Sequence, residues 1–575
     1  MKAGEVVFQR LLDGKIQYVV PLYQRPYSWG EKQWEQLWSD IVEIYRLQEP
    51  RNHFIGSVVT QQVTTSPEGA SKYLLIDGQQ RMTTLFILLS IIRDHAGQED
   101  YPSLAAEIHN SCLVNQYATG PDHTKFVPTQ GDRDAFQALI VETEPNREPA
   151  GCVRRTAIDD ARKYFSDQVF GERNGGGAFD LRNLYRCIVT HLDMVSIHLD
   201  AQDSPNRIFE SLNNTGLPLS VADLIRNYLL MSISDVDTQQ REYENCWRPM
   251  EQLFPGEQIP TAFFWNYLMM DGSLPRQDDT YDEIKDRFQS LTPDASVERL
   301  RDFYQFARHY AKISETKSHD SADPKAIQKL LLTPGSLDAE LGLAMRYWRL
   351  KQWDVVVADP FLMRAMDRAA KGEIVLRDVV EVVKLIESFV VRRTICGVPT
   401  NSVRRIFAQM IEQIDWEDVV GSVRGHLLNN SWPTDEEFRS RMRQYRLYNK
   451  QRLSRTRLVL WTIECCRGHN ETPALTDDIT IEHVMPQTLS AEWERDLGAS
   501  AAEVHEQWLD TIGNLTLSGY NPTLSNKPFA EKQLILADSH FALNTAMRDQ
   551  RAWGEVEIQR RGEGLAAEAA LIWQR

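Results

Sequence analysis

Two short stretches of this 575-residue chain carry side chains suited to phosphate chemistry. The first runs Ile481-Glu482-His483-Val484-Met485-Pro486-Gln487, then Ile512-Gly513-Asn514-Leu515-Thr516-Leu517, then Asn521, Asn526 and Lys532. Hydrolysis of a phosphodiester needs a base to take a proton from water and a hard cation to neutralise charge on the phosphate and the leaving oxygen. An imidazole, with a reference pKa of about 6.5, stays largely neutral at cellular pH, so His483 suits the base. Glu482 and Asn521 are the candidate oxygen ligands for one Mg2+ or Mn2+. Neighbours on a regular strand face opposite ways, so Glu482 and His483 can serve one site only where the strand twists or turns.

The second stretch is Asp77-Gly78-Gln79-Gln80-Arg81, placed where a strand hands over to an apolar helix. Free N–H groups and the positive dipole end make such a junction an anion site. Gly78 permits a tight turn, Gln79 and Gln80 offer amide donors, Arg81 offers a fork for phosphate oxygens, and Asp77 could orient a water or hold a cation. The plain alternative is a turn whose arginine pairs with Asp77. No Gly-x-x-x-x-Gly-Lys-Ser/Thr occurs, so an ordinary P-loop NTPase is not supported.

A third feature is electrostatic. The chain carries 64 Lys+Arg against 81 Asp+Glu, a net charge of -17 with a pI near 5.3, which argues against binding nucleic acid or anionic membrane through its overall field. Yet Arg439, Arg441, Arg443, Arg446, Lys450, Arg452, Arg455 and Arg457 fall in one segment with no acidic residue, Tyr445 and Tyr448 interleaved. Its functional reading is a DNA phosphate track, extended by Arg392, Arg393, Arg404 and Arg405; the alternative is a solvated face paired with acidic neighbours.

Elements must position these groups. Trp34, Leu37, Trp38, Ile41 and Tyr45 recur at helical spacing, residues 54–59 and 73–76 read as two strands around a turn at 66–69, and Val195, Ile197 and Leu199 alternate as a half-buried strand. Ser220-x-x-Asp223 reads as a capping box. Residues 235–470 are mostly helical by pattern, with short motif-bearing segments after them. The longest apolar stretch, Leu85 to Ile92, is far short of the roughly 20 residues that span a bilayer, no signal core follows Lys2, and seven cysteines form no Cys-x-x-Cys pair. The expectation is a cytoplasmic protein without a membrane partner or disulfide framework.

The C-terminal order of motifs resembles the HNH, or ββα-metal, nuclease fold. Gln24-Arg25-Pro26-Tyr27-Ser28-Trp29, Phe54-Ile55-Gly56-Ser57, Asp77 to Arg81, Phe209 to Leu219 and the region Glu387 to Asn401 add a resemblance to the GmrSD type of modification-dependent, type IV restriction endonuclease, in single-chain form. That resemblance implies a predominantly helical α+β chain: a ParB/sulfiredoxin-like α/β domain over 1–232, a helical connecting region over 233–400 and an HNH domain set in helices over 401–575. It implies NTP (GTP, UTP or ATP) at Asp77, Gly78, Gln79, Gln80 and Arg81, with Asn213 and Arg226 beside them, coupled to metal-dependent cleavage of modified DNA, glucosylated or phosphorothioated, in phage defence. Within it Asn514 ties the loop, and Asn526 and Lys532 stand as an alternative ligand and a phosphate contact. The family's third position is often histidine; here it is asparagine, which leaves Asn521 and Asn526 open. Tyr23, Gln24, Arg25, Pro26 and Tyr27 are candidates for sensing the modification, against packing of Tyr27 and Trp29 on the Trp34/Trp38 helix. Two rival readings are an RNA-directed nuclease or toxin and a non-catalytic, nucleotide-gated DNA-binding protein. A homodimer is compatible with all three.

Overall fold

The computed structural model describes the chain except for residues 48–49, 65–69, 99–100, 142–155, 175–179, 201–218, 234, 290–291, 315–323, 333–336, 468–474, 477 and 520–523. It is predominantly helical with a mixed sheet in its N-terminal region, an α+β chain. It divides into two compact units, Met1–Pro249 with Lys285–Arg301, and Met250–Ile284 with Asp302–Arg575. Residues 233–400, expected as a helical connecting region, fall partly in each unit. Among the described residues no helix is long and apolar enough to cross a membrane.

In the first unit, β1 (Lys2–Val7), β2 (Ile16–Val19), β3 (His53–Thr64), β4 (Ser71–Asp77), β5 (Phe126–Val127) and β6 (Leu192–Leu199) form a six-stranded sheet in the order β1-β6-β3-β4-β2-β5. β1–β6 and β3–β4 pair antiparallel, the other neighbours parallel. Helix α1 (Glu31–Arg46) turns Trp34, Leu37, Trp38 and Ile41 inward, one apolar stripe at helical period. Helix α2 (Gln79–Gln98) leaves β4 through Gly78 and is buried on nearly every side from Met82 to Ala96, as suits the apolar stretch Leu85 to Ile92, broken only by Ser90, at its centre. Phe86 stacks on Phe126 at 5.0 Å between ring centroids, and Phe136 meets Phe126 at 5.3 Å. β6 alternates: Leu192 and Met194 enter the α2 core, while Ile197 and Leu199 join Val59 and Ile76 in a second cluster. Helix α3 (Val221–Met231) starts at a reciprocal cap, Ser220 Oγ accepting from the Asp223 N–H at 3.1 Å and donating to its carboxylate at 2.7 Å.

In the second unit, α4 (Ala339–Gln352) packs on α5 (Leu376–Ile395), followed by α6 (Asp435–Gln444), α7 (Leu453–Cys466), β7 (Thr480–His483), β8 (Leu515–Ser518), α8 (Phe529–Ala537) and α9 (Glu555–Ile572). Glu387 of α5 lies fully buried between Arg346 (3.0 Å) and Arg349 (2.6 Å) of α4 and accepts from Trp573 Nε1 at 2.9 Å, just past α9. Burial alone would raise its carboxyl; the two guanidiniums outweigh that and hold it down to about 2. The expected extension of the DNA track does not form here. Arg392 and Arg393 are buried and give their donors to carbonyls, Trp573 O and Pro433 O for the one, Asn430 O and Pro399 O for the other, with Asp435 pairing Arg392. Arg404 lies over Trp265 and donates to Pro275 O; Arg405 is exposed.

Candidate active site

Strands β7 and β8 pair antiparallel with Glu482 opposite Thr516 and His483 opposite Leu515. β7 ends at His483 and the chain turns away, so both side chains of an adjacent pair line one cleft of about 520 Å3, together with Tyr448, Ile481, Pro486, Gln487, Thr488, Ser525 and Asn526. The turn itself is tied by Asn514, which is fully buried. Its Oδ1 accepts from the Met485 N–H at 2.7 Å and from Trp553 Nε1 at 3.1 Å, while Nδ2 donates to Met485 O at 3.0 Å and Leu509 O at 2.9 Å. From α9, Arg561 places one nitrogen on Ile512, Gly513 and Leu515 carbonyls, bracing the entry to β8.

His483 is 6% exposed. Its Nε2 faces Asp510 Oδ1 at 3.2 Å, and the Tyr448 ring meets the imidazole edge to face with centroids 4.5 Å apart. Glu482 Oε1 accepts from Lys532 Nζ at 2.6 Å, and the same ammonium donates to His483 O at 2.7 Å. Burial pushes the Glu482 carboxyl up and the Lys532 amine down, outweighing their mutual attraction at each. Lys532 is 0% exposed with two internal acceptors, so its ammonium braces the wall of the cleft and is not presented to a phosphate in it.

Glu482 and Asn526 supply oxygen donors to the cleft, a set that suits Mg2+ or Mn2+, which bind through one or two carboxylates and keep several waters. Ser525 holds a left-handed φ of 38°, an unusual conformation for a residue with a Cβ, beside Asn526 at the rim. Asn521 lies outside the described residues, as do Asn213 and most of the segment Phe209 to Leu219. Among the described residues, no group of three or more His, Cys, Asp and Glu side chains is arranged around a common metal position.

The basic segment is not one helix. It comprises the end of α6, a loop at 445–452 and the start of α7, and the loop passes over the cleft: Arg446 bridges Thr511, and the Tyr448 N–H donates to Asp510 O at 3.2 Å. Arg439, Arg441, Arg446, Lys450 and Arg452 are exposed. Three of the eight are drawn inward: Arg455 pairs with Asp354 at 2.6 Å and lies on Trp353, Arg457 donates to Thr476 O, and Arg443 is half-buried.

In the first unit the Asp77–Arg81 turn is built by close approach. Gly78 has φ +93°, and a Cβ there would meet Ser57 O at 2.9 Å; Gly56 has φ +113°, and its Cβ would strike the Arg81 guanidinium at 2.7 Å. Arg81 donates one guanidinium nitrogen to Ser57 O, while one Asp77 oxygen accepts from Ser57 Oγ at 3.4 Å; the alternative reading of this turn, an arginine paired with Asp77, is not the arrangement found. Gln80 Oε1 accepts from the Ser28 N–H (2.8 Å) and Trp29 N–H (3.2 Å), and its Nε2 donates to Pro26 O (3.2 Å). Gln79 Nε2 donates to Arg25 O at 3.2 Å, leaving its buried Oε1 without a partner.

The proposed sensing loop is therefore clamped to the N-terminus of α2, and most of it faces inward. Tyr23, Gln24 and Tyr27 are buried. Gln24 donates to Ile76 O at 3.0 Å, and the Tyr27 hydroxyl sits between Thr84 Oγ1 (2.7 Å) and Trp34 Nε1 (2.8 Å). Of the five, Pro26 is exposed and Arg25 half-buried. Arg226, at 3% exposure, spends its guanidinium on Tyr23 O at 2.8 Å and Asp223 at 2.7 Å, so it braces the loop from behind instead of facing a ligand. The sequence does not mark Asp510 or Tyr448 as site residues. Asp510 carries only the faint signal of a carboxylate four residues before Asn514; Tyr448 was legible merely as an aromatic among arginines.

Comparison with protein families gives two matches. Residues 8–230 match the GmrSD restriction endonuclease N-terminal domain, and residues 432–568 match the GmrSD restriction endonuclease C-terminal domain. The first span contains the whole Asp77–Arg81 turn; the second contains the basic segment, the cleft and most of α9. No curated protein matches the chain. With both matches in order and together spanning most of its length, the chain belongs to the GmrSD restriction endonuclease family.

Proposed function

We propose that the chain hydrolyses phosphodiester bonds of modified DNA in the Glu482/His483 cleft, as an HNH-type nuclease, and that NTP held at the Asp77–Arg81 turn regulates the cut. The observation that carries this reading is the convergence of Glu482, His483 and Asn526 on one cleft, roofed by Tyr448 from the basic segment. His483 takes a proton from water as the water oxygen bonds to phosphorus and the bond to the leaving oxygen breaks; solvent supplies the proton that this oxygen acquires. Glu482 and Asn526 would hold the Mg2+ or Mn2+, with Asn521 as the other candidate; the bound ion supplies charge neutralisation at the phosphate. Arg439, Arg441, Arg446, Lys450 and Arg452 bind the backbone on either side, positioning DNA without reading its sequence.

At the other motif, the free N–H groups of a 20-residue helix and the Arg81 fork suit the phosphates of an NTP. Gln80 is spent on the 26–29 backbone and Gln79 Nε2 on Arg25 O, so the groups left to serve a nucleotide are the Gly78 backbone, the Arg81 nitrogens not on Ser57 O, and the Asp77 oxygen not on Ser57 Oγ. The test is one panel. Purified protein with Mg2+ is offered plain, glucosylated, methylated and phosphorothioated DNA and total RNA, with and without GTP, UTP or ATP. Cleavage of one modified DNA, abolished by chelator and altered by NTP, is the expected result. Cleavage of RNA alone, or binding of DNA without cleavage at any NTP concentration, would refute it.

A further inference from the structure

Asp510 belongs to none of the motifs that mark the cleft, yet its carboxylate is the polar group nearest the His483 ring edge, Oδ1 lying 3.2 Å from Nε2. The residue is held from several sides. Its carbonyl accepts from the Tyr448 N–H at 3.2 Å, Thr511 beyond it bridges Arg446, and Leu509 before it is tied to Asn514 at 2.9 Å. His483 is gripped as well: β-pairing to Leu515 fixes its backbone, and the Tyr448 ring, inclined at 75°, meets its imidazole. An imidazole held by its backbone, one edge and a ring contact has little rotational freedom left.

A neutral imidazole has one donor nitrogen and one acceptor nitrogen, and an ionised carboxylate only accepts. The hydrogen facing Asp510 must then be on Nε2, which leaves the lone pair on Nδ1. Nδ1 makes no hydrogen bond among the described residues, on a ring that lines the cleft. We propose that Asp510 is a positioning residue that, with the Tyr448 ring, holds His483 as the Nε2-protonated tautomer and so assigns Nδ1 as the atom that takes the proton from water. In the step itself the water O–H proton moves to Nδ1, the oxygen electron pair bonds to phosphorus, and the resulting imidazolium keeps its Nε2–H on Asp510. The inference rests on the nuclease reading of this cleft and names the residue that orients its base.

The competing possibility is that Asp510 and His483 together bind the metal. Full-length Asp510→Ala, Asp510→Asn and Asp510→Glu are compared with wild type on the modified DNA that wild type cuts. Asp510→Ala should lower kcat about 10- to 100-fold, the size expected for loss of an orienting partner, with KM for DNA within about twofold. Asp510→Asn should do no better than alanine, because its NH2 can face Nε2 and favour the wrong tautomer. Asp510→Glu should recover part of kcat. Binding of Mn2+ alone, followed by titration calorimetry, should be unchanged in the alanine variant. Nitrogen NMR of histidine-labelled wild type should show His483 protonated on Nε2, and does not depend on any variant folding. Wild-type kcat in Asp510→Ala, an Nδ1-protonated His483 in wild type, or loss of Mn2+ binding in step with cleavage would each overturn the proposal. If wild type cuts no modified DNA, the nuclease reading fails instead, and the NMR result still decides the tautomer.

Discussion

The cleft of the second unit and the Asp77–Arg81 turn of the first are both built from short polar motifs, and they spend those residues in opposite ways. In the cleft, Asn514, Lys532 and Arg561 absorb most of the structural work, so the Glu482 oxygen not bound by Lys532, Nδ1 of His483 and Asn526 are left to the cleft. Around the turn, the motif residues bind one another: Gln80 holds the 26–29 backbone, Gln24 holds Ile76, and Tyr27 sits in a buried hydroxyl network. A polar motif is evidence of chemistry only where its hydrogen-bonding capacity is left over once the fold has been satisfied.

That contrast can be broken at Asn514 first. Asn514→Ala leaves two buried donors, Met485 N and Trp553 Nε1, without an acceptor, a loss of about 3 kcal/mol that chemical denaturation would register. A loss below about 1 kcal/mol would show that the loop holds itself. Gln80→Ala is next. Unpairing Ser28 N and Trp29 N should cost about 1–2 kcal/mol and lower the thermal midpoint, more than would follow if Gln80 served only a nucleotide. An unchanged midpoint would return Gln80 to the nucleotide site.

Buried carboxyls sharpen the same comparison. Glu482 has Lys532; Asp359, at 2% exposure, is opposed by the Lys351 charge less strongly than by its own burial, which pushes its carboxyl up to about 7. The folded state therefore holds the Asp359 proton more tightly than the unfolded chain, whose reference value is about 3.9. Its contribution is most favourable below about pH 4, falls as pH rises, and is fully lost above about 7. Asp359→Asn should flatten stability between pH 4 and 7 and gain on the order of 1 kcal/mol at pH 8; denaturation at a series of pH values reads this, and an unchanged slope would contradict it. Smallest per residue are the surface cations. Replacing Arg439, Lys450 and Arg452 by alanine should leave unfolding unchanged while reducing the salt slope of DNA binding by about 0.9 per lost phosphate contact. The same change at Arg455 and Arg457 should affect the slope less, because those two are already paired within the fold.

Periodicity made the scaffold legible. The Trp34–Ile41 stripe, the apolar run of α2, the strands around residues 54–59 and 73–76 and the Ser220 cap all follow from local pattern, and local pattern is what a sequence displays. Order and residue type also marked Glu482, His483 and Asn514. What stayed hidden depends on where a side chain ends up. Arg392 and Arg393 read as cations, but only the packing of α5 shows their donors on carbonyls. Lys532 read as a phosphate contact until α8 turned it into the wall behind Glu482. Asp510 stands 27 positions from His483, a distance no motif spans.

His483 stands as the proposed base of a DNA-cutting cleft. Single-turnover cleavage of modified DNA by wild type and His483→Ala, with Mg2+ saturating, tests it most directly. The variant should cleave about 100- to 10,000-fold more slowly, with its thermal midpoint and DNA affinity near those of wild type. Cleavage at the wild-type rate by pure His483→Ala would contradict the account.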